Sequence, residues 1–301
     1  MQKILVFGGS GLLGVNFCEK VSKKYEVYSW IHKKKIKING IKNISGKITK
    51  KNVEAFIKKK KIDIICNFAA LTSIEHCQKF KKKAFKINTN LIEKLCLAID
   101  QNNKLLIHIS TDHIFKNNQT KFDENSKFKI WNNYGKTKIL AEKLIKEKLS
   151  RYIIIRTNFF GWGTGYRQSI SDKILGHTKL NKSIEIWKDV FFTPIYVGYL
   201  SKLIIKLIDK KFEGVVNIGS DERVSKYQFA KEVLKSFSLI NRKITPTKYS
   251  QKKFINRPKN MCLNNSKIKK IFPNEIKNFK IKKQIELMKS DIKLKKKFLK
   301  L

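Results

Sequence analysis

The segment Lys3-Ile4-Leu5-Val6-Phe7-Gly8-Gly9-Ser10-Gly11-Leu12-Leu13-Gly14 runs an apolar strand straight into glycines three apart, and its reading decides the fold. Gly8 permits a tight turn, Gly11 lets the backbone come close to a phosphate, and Gly14 lets the helix that follows pack against the strand. The positive end of that helix then faces the anion. A glycine triplet alone is weak, because glycines also make ordinary turns. Here strand-like Ile4 to Phe7 precede it and helix-like Leu12 to Val21 follow it, the context that a dinucleotide pyrophosphate site needs. Gly8, Ser10, Gly11, Leu12, Leu13 and Gly14 are its candidate residues.

Working outward, strands and helices alternate. Glu26 to Ile31 reads as a second strand, a lysine-rich stretch from Lys33 to Lys61 holds a helix near Asn52 to Lys60, and Ile62 to Asn67 returns to strand. A helix near Asn90 to Gln101, the apolar run Lys104 to Ser110, a polar loop through Asn117 to Asn133, a helix over Tyr134 to Leu149 and a strand at Tyr152 to Arg156 follow. Short apolar runs alternating with helices predict a doubly wound parallel sheet of the Rossmann type, covered on both faces. The expected dinucleotide-binding domain is 1–158 plus about 191–220, with helix Val197 to Ile208 and strand Gly214 to Ile218 returning to the sheet. Residues 159–190 and 221–290 are expected to form a smaller substrate lobe over the strand ends, and 291–301 an amphipathic helix or basic tail.

With 301 residues, 42% of them hydrophobic, the chain can bury a large core. Its net charge of +44 suggests nucleic acid at first sight. Only six of the 67 basic residues are Arg (151, 156, 167, 223, 242 and 257), and the lysines are scattered from Lys3 to Lys300. Nucleic-acid sites favour Arg and concentrate charge on one face, so a solvated lysine surface is the better reading, with some attraction for anionic substrates. The five cysteines form no Cys-x-x-Cys pair, and Glu75-His76-Cys77 reads as loop or surface packing, so no metal is expected. The N-terminus enters its strand at once, and Val190 to Ile208 carries Pro194, Lys202 and Lys206. Neither a signal peptide nor a membrane span is expected, and the cytoplasm is the default.

The chemistry centres on Tyr134-Gly135-Lys136-Thr137-Lys138. Residues four apart share a helix face, so the Lys138 ammonium can approach the Tyr134 hydroxyl and ease its proton exchange. Tyr227/Lys231 and Tyr249/Lys253 have the same spacing. Only Tyr134 follows an apolar strand ending in Ser110-Thr111-Asp112, whose hydroxyls emerge at the sheet's edge beside the expected nicotinamide.

These residues resemble the extended short-chain dehydrogenase/reductases, most closely the dTDP-4-dehydrorhamnose reductases. The resemblance is carried in order by GGSGLLG (8–14), NFAALTSIE (67–75), KIN (86–88), STDHIF (110–115), YGKTK (134–138), RTNFFGWG (156–163), FTPIYV (192–197) and RPKNMCL (257–263). It implies a catalytic set in which Thr111 binds the substrate carbonyl, Tyr134 delivers a proton, and Lys138 holds the nicotinamide ribose and tunes Tyr134. Ser110, Ala69, Ala70 and Asn88 line the cofactor channel, and Thr72, His113, Asn158, Phe159 and Arg257 face the substrate, with loop packing an equal reading of His113 and a strand-end cap an equal reading of Asn158. The implied reaction is hydride transfer to the C4 ketone of a nucleotide-linked 4-keto-6-deoxy sugar, in deoxysugar or surface-polysaccharide biosynthesis. The reading admits a homodimer and gives no role to nucleic acid or membrane.

Two departures shape the reading. Trp30-Ile31-His32-Lys33-Lys34 stands where NAD-preferring relatives end the second strand in an acid, so His32 and Lys33 are expected to accommodate a 2′-phosphate. NADPH is the expected cofactor, with NADH admitted. Lys47 replaces an acid expected near adenine. The resembling 4,6-dehydratases carry Glu where this chain has His113, which disfavours dehydration and favours reduction. The other readings are another nucleotide-sugar reductase or epimerase of the same kind, and a non-catalytic nucleotide-binding subunit; the presence of Thr111, Tyr134 and Lys138 favours an enzyme.

Overall fold

The computed structural model describes residues 1–32, 34–99, 103–165, 167–177, 183–241 and 243–299. Its main sheet has seven strands: β1 (Lys3–Phe7), β2 (Glu26–Trp30), β3 (Ile41–Ile44), β4 (Ile64–Asn67), β5 (Leu105–Ile109), β6 (Tyr152–Thr157) and β7 (Gly214–Ile218). The spatial order is β7-β6-β5-β4-β1-β2-β3, and the pairings from β3 through to β6 are parallel. Strands covered on both faces read as continuous apolar runs, which is why Ile4, Leu5 and Val6 and again Ile153, Ile154 and Ile155 are wholly buried.

Helices α1 (Leu12–Val21), α2 (Lys50–Lys60), α3 (Ile74–Lys79), α4 (Lys81–Asn88), α5 (Asn90–Ile99) and α6 (Asn133–Lys148) link these strands. Side chains start several of them: the Thr49 hydroxyl accepts from Asn52 N, Ser73 from His76 N, and the Asn132 carbonyl oxygen from Gly135 N. One core cluster joins strand residues Leu5, Phe7, Ile65, Leu106 and Ile154 to Val53 and Ile57 of α2, Leu95 of α5 and Ala141 and Ile145 of α6. The strand order reverses between β1 and β4. Beyond the carboxyl ends of strands at such a reversal, open α/β sheets form their ligand crevice.

The sequence reading is corrected in two places within this sheet. Strand β3 lies inside the lysine-rich stretch, where the Asn43 side chain bonds both N and O of Ile36 and ties the preceding segment down. Glu75, His76 and Cys77, expected as loop or surface packing, sit on α3: exposed His76 turns to Ser73 and stacks on Phe80, while the buried Cys77 thiol donates to Leu71 O.

The chain divides into two compact units. The first is 1–114, 130–155 and 201–215; the second is 115–129, 156–200 and 216–301. The expected boundaries put 115–129 with the sheet, whereas Phe115 stacks on Phe122 at 4.8 Å and Phe122 N bonds Cys262 O within the second unit. Helix α8 (Val197–Asp209) contributes Ser201 onward to the first unit. The second unit contains α7 (Ile170–His177), α9 (Lys226–Ser236), α10 (Ser266–Ile271), α11 (Ile281–Ser290) and α12 (Ile292–Leu299). It also has three small sheets: Phe159–Phe160 with Ile195–Tyr196, Phe191–Phe192 between Val224–Ser225 and Asn260–Met261, and Ile184–Trp187 with Ile244–Thr247. Its C-terminal segment is helical, and Phe298 is fully buried.

Candidate active site

The glycine loop is built for close backbone approach. Gly8 has a φ of +79°, and a Cβ there would stand 2.5 Å from Ala69 N, so the exit of β1 presses on the exit of β4. A Cβ on Gly14 would stand 2.2 Å from Gly8 O, which fixes the first turn of α1 directly under the loop. Gly11 is the N-cap of α1, its N–H donates to Gly8 O at 3.0 Å, and it offers no side chain to cap the helix. The first-turn N–H groups beyond it have no intrahelical partner, and the positive end of the helix suits an anion. Ser10, Gly11 and Leu12 are half-buried, Leu13 and Gly14 buried.

At the exit of β5, three turns of α6 stand against three successive residues, and two of them are fastened there. Tyr134, Lys138 and Glu142, four apart, form one stripe of the helix. Thr111 stands beside the Tyr134 hydroxyl, Lys138 Nζ donates to Ile109 O at 2.5 Å, and Ser110 Oγ donates to Glu142 Oε1 at 2.5 Å. Lys138 is 2% and Glu142 1% exposed. Gly135 allows this approach, since a Cβ there would come within 3.1 Å of His113 O. Thr111 Oγ1 also donates to Asp112 Oδ1 at 3.3 Å and accepts from His113 N, and the His113 ring meets Tyr134 edge-on at 5.9 Å.

Burial sets the electrostatics. It pushes the Tyr134 phenol well above its ordinary value; the Thr111 hydrogen bond opposes this, while Asp112 and Cys77 add to it. Burial pulls the Lys138 ammonium down to about 8, against the favourable Glu142 carboxylate. The sequence placed Lys138 as the cation that lowers the Tyr134 pKa. The structure instead gives the phenol Thr111 as its lowering partner, and the Lys138 hydrogen bonds go to Ile109 and His108. A protonated Tyr134 beside a lysine of this pKa can donate a proton at neutral pH.

This geometry agrees with what comparison finds. The profile of the RmlD substrate binding domain family matches residues 1–290. The chain belongs to that family. It is thereby an extended short-chain dehydrogenase/reductase, an NAD(P)-dependent oxidoreductase by class. Among curated relatives, the dTDP-4-dehydrorhamnose reductase of Aggregatibacter actinomycetemcomitans is 26% identical over 90% of this chain and 94% of its own length. The spore coat polysaccharide biosynthesis protein SpsK of Bacillus subtilis is 28% identical over 79% of this chain and 81% of its own. Among solved structures, a hypothetical dTDP-4-dehydrorhamnose reductase from Sulfolobus tokodaii superposes with TM-score 0.79 at 26% identity, covering 90% of this chain and 95% of that one. The Bacillus anthracis dTDP-4-dehydrorhamnose reductase, solved with NADP, shares the fold with TM-score 0.81 at 21% identity over 97% and 99% of the two chains.

The RmlD-family chain places the remaining expected residues as follows. Ala69 and Ala70 are half-buried beyond β4, and Thr72 is exposed beside them. Asn88 is buried, and its amide is committed to Leu71 N and O and to Thr137 Oγ1, so it holds the loop after β4 rather than facing a ligand. His32 is exposed just past β2, and Lys33 lies outside the described residues. Asn158, Phe159 and Arg257 belong to the second unit. There Asn158 O accepts from Ile195 N, Phe159 pairs with Ile195, and Arg257 lies over Trp187 at 5.1 Å and Tyr249 at 5.8 Å.

Sequence reasoning missed His108, Glu142 and Asn67. Glu142 could have been found one turn beyond Lys138 on the Tyr134 stripe. His108 is the one polar side chain in the strand Leu105-Leu106-Ile107-His108-Ile109, alternating with Ser110 toward α6.

Proposed function

We propose that this protein reduces the C4 ketone of a nucleotide-linked 4-keto-6-deoxy sugar with NADPH, as a dTDP-4-dehydrorhamnose reductase-like enzyme of deoxysugar or surface-polysaccharide biosynthesis. The observation that carries the reading is the fastening of Lys138 to Ile109 and of Glu142 to Ser110, which sets Tyr134 beside Thr111 on the same sheet whose strand-order reversal bears the Gly8–Gly14 loop. The residues present fit a dinucleotide: the bare N-cap at Gly11 suits a pyrophosphate, and side chains larger than hydrogen at Gly8 and Gly14 would close the loop.

In this reading Ser10, Leu12 and Leu13 hold the pyrophosphate with backbone N–H groups, Gly11 lets it come close, and Ala69 and Ala70 border the channel. The reduced nicotinamide, when bound, supplies the hydride. Thr111 and Tyr134 hold the ketone oxygen by hydrogen bonds, Tyr134 gives its proton to that oxygen as charge develops, and Lys138 would hold the nicotinamide ribose. Thr72, His113, Asn158, Phe159 and Arg257 are assigned to the substrate from the family resemblance.

NADPH is preferred over NADH because no carboxylate lies between Glu26 and Glu54 to repel a 2′-phosphate, while His32, Lys33 and Lys34 follow β2. The test is to mix purified protein with NADPH or NADH and a panel of nucleotide-linked 4-keto-6-deoxy sugars, following loss of the reduced-nicotinamide absorbance. Turnover of at least one such sugar is expected, with a KM for NADPH about tenfold or more below that for NADH. Equal KM values remove the cofactor assignment, and no turnover with any sugar removes the substrate class.

A further inference from the structure

Lys138 carries three N–H donors and, as an ammonium, no acceptor. One N–H goes to Ile109 O at 2.5 Å, and Nζ stands 3.1 Å from His108 Nε2. His108 is buried at 1% exposure, and its other ring nitrogen, Nδ1, faces the side-chain amide of Asn67 at 3.2 Å. Asn67 is equally buried, and its Oδ1 finds no partner while Nδ2 faces the ring. These contacts are mutually restrictive. A ring proton on Nε2 would point at the ammonium, so Nε2 must be bare to accept from Lys138. Nδ1 then carries the proton and needs an acceptor, which a half-turn of the Asn67 amide supplies by presenting the oxygen.

We propose that His108 is a positioning residue for Lys138: Asn67 holds its ring as the Nδ1–H tautomer, and Nε2 anchors one N–H of the ammonium. The proposal rests on the reductase reading only in counting Lys138 among the working groups. Between Ile109 and His108 the ammonium is fixed at two points, and its third N–H is left for the site. The groups facing this cation are Glu142 one turn along α6 and His108 and the Ile109 carbonyl from β5; Tyr134, one turn back, is surrounded by Thr111, Asp112 and Cys77. A second proton on His108 would put two cations side by side in the interior. Burial first, and the Lys138 charge second, hold the imidazole well below its usual range, so the ring stays neutral.

The test begins with the wild-type protein labelled with nitrogen-15 in its histidines, recording long-range proton–nitrogen spectra. The His108 signals are assigned by their disappearance in His108→Gln. A ring protonated on Nδ1, bare on Nε2 and unchanged through the range where ordinary histidines titrate is expected. A proton on Nε2, or a ring that titrates, overturns the proposal. Asn67→Leu removes the acceptor and is expected to move the Nδ1–H resonance while Nε2, still facing the ammonium, stays bare; an unchanged spectrum counts against Asn67 as the partner of the ring.

Kinetics supply the second arm. His108→Gln keeps an acceptor at the Nε2 end and is expected to stay within about threefold of wild-type kcat, whereas His108→Leu should lose about ten- to a hundredfold in kcat with the sugar KM little changed. Wild-type kcat and pH profile in His108→Leu, with a wild-type melting curve, overturn the positioning role. If the wild type turns over no nucleotide-linked keto sugar, the reductase reading fails, and the spectrum alone then decides the tautomer.

Discussion

Where β1 ends, at Gly8, the chain discards side chains; where β5 ends, at Ser110, it packs polar side chains into the interior. The first exit holds its shape by backbone contacts that leave no room for a Cβ on Gly8 or Gly14, and its N-cap, Gly11, brings no side chain to the first-turn N–H groups of α1. The second exit holds its shape by hydrogen bonds from Ser110 to Glu142 and from Lys138 to Ile109, with Thr111 set beside Tyr134. One recognises an anion through dipoles and needs no titratable group. The other must keep a buried cation and a buried phenol in defined protonation states. The difference teaches where each exit is vulnerable: the first to added volume, the second to lost polarity.

The largest effect that would break this comparison is at the second exit. Tyr134→Phe removes one oxygen from a buried ring and is expected to lower kcat by about 10²- to 10⁴-fold. Fluorescence titration should find NADPH affinity within about twofold of wild type, because the dinucleotide is assigned to the first exit. Retained turnover would sink the role of Tyr134.

Next in size is Gly14→Ala at the first exit. The new Cβ would stand 2.2 Å from Gly8 O and 2.5 Å from Gly9 O, both backbone atoms that cannot swing aside. A loss of about 1–3 kcal/mol in unfolding free energy is expected, with dinucleotide binding lost alongside it. Urea unfolding of the two proteins measures the first, and titration the second. Wild-type stability would show that the loop yields, and that its tight packing is not what fixes α1.

The pH dependence sharpens the contrast because only the second exit titrates. Lys138, at about 8, is charged below that value and loses its proton above it. With Tyr134 pushed up and protonated throughout, kcat is expected to be level on the acid side of about 8 and to fall about tenfold per unit above it. Lys138→Arg keeps its charge at every accessible pH, so whatever activity it retains should not show that fall. A wild-type profile level well above 8 would remove Lys138 as the titrating group.

What the sequence made legible follows the same division. The glycine loop depends on local geometry, so its spacing and flanks could be read directly, and the Tyr134 to Lys138 turn could be read from helical period. The partners of Lys138 could not, because a lysine is buried by what faces it, and β5 lies some thirty residues upstream; only the fold shows that His108 and the Ile109 carbonyl meet it. Strand β3 was hidden by lysines that interrupt its apolar pattern, as Lys42 does between Ile41 and Ile44. Membership of 115–129 in the second unit was equally non-local, set by contacts such as that of Phe122 with Leu263.

The smallest effect on stability is expected at Gly11, and it separates what the first exit needs for folding from what it needs for binding. A Cβ there meets only Gly8 O, at 3.2 Å, and the backbone φ of −76° suits any residue. Gly11→Ala should therefore unfold within about 1 kcal/mol of wild type, the modest penalty of alanine at an N-cap. The added methyl group nevertheless stands at the bare end of α1, where the backbone must approach a phosphate closely. A rise of about tenfold or more in the NADPH dissociation constant is expected without a matching change in melting behaviour. If stability falls as far as in Gly14→Ala, Gly11 serves the fold; if neither quantity moves, the pyrophosphate does not sit at this turn.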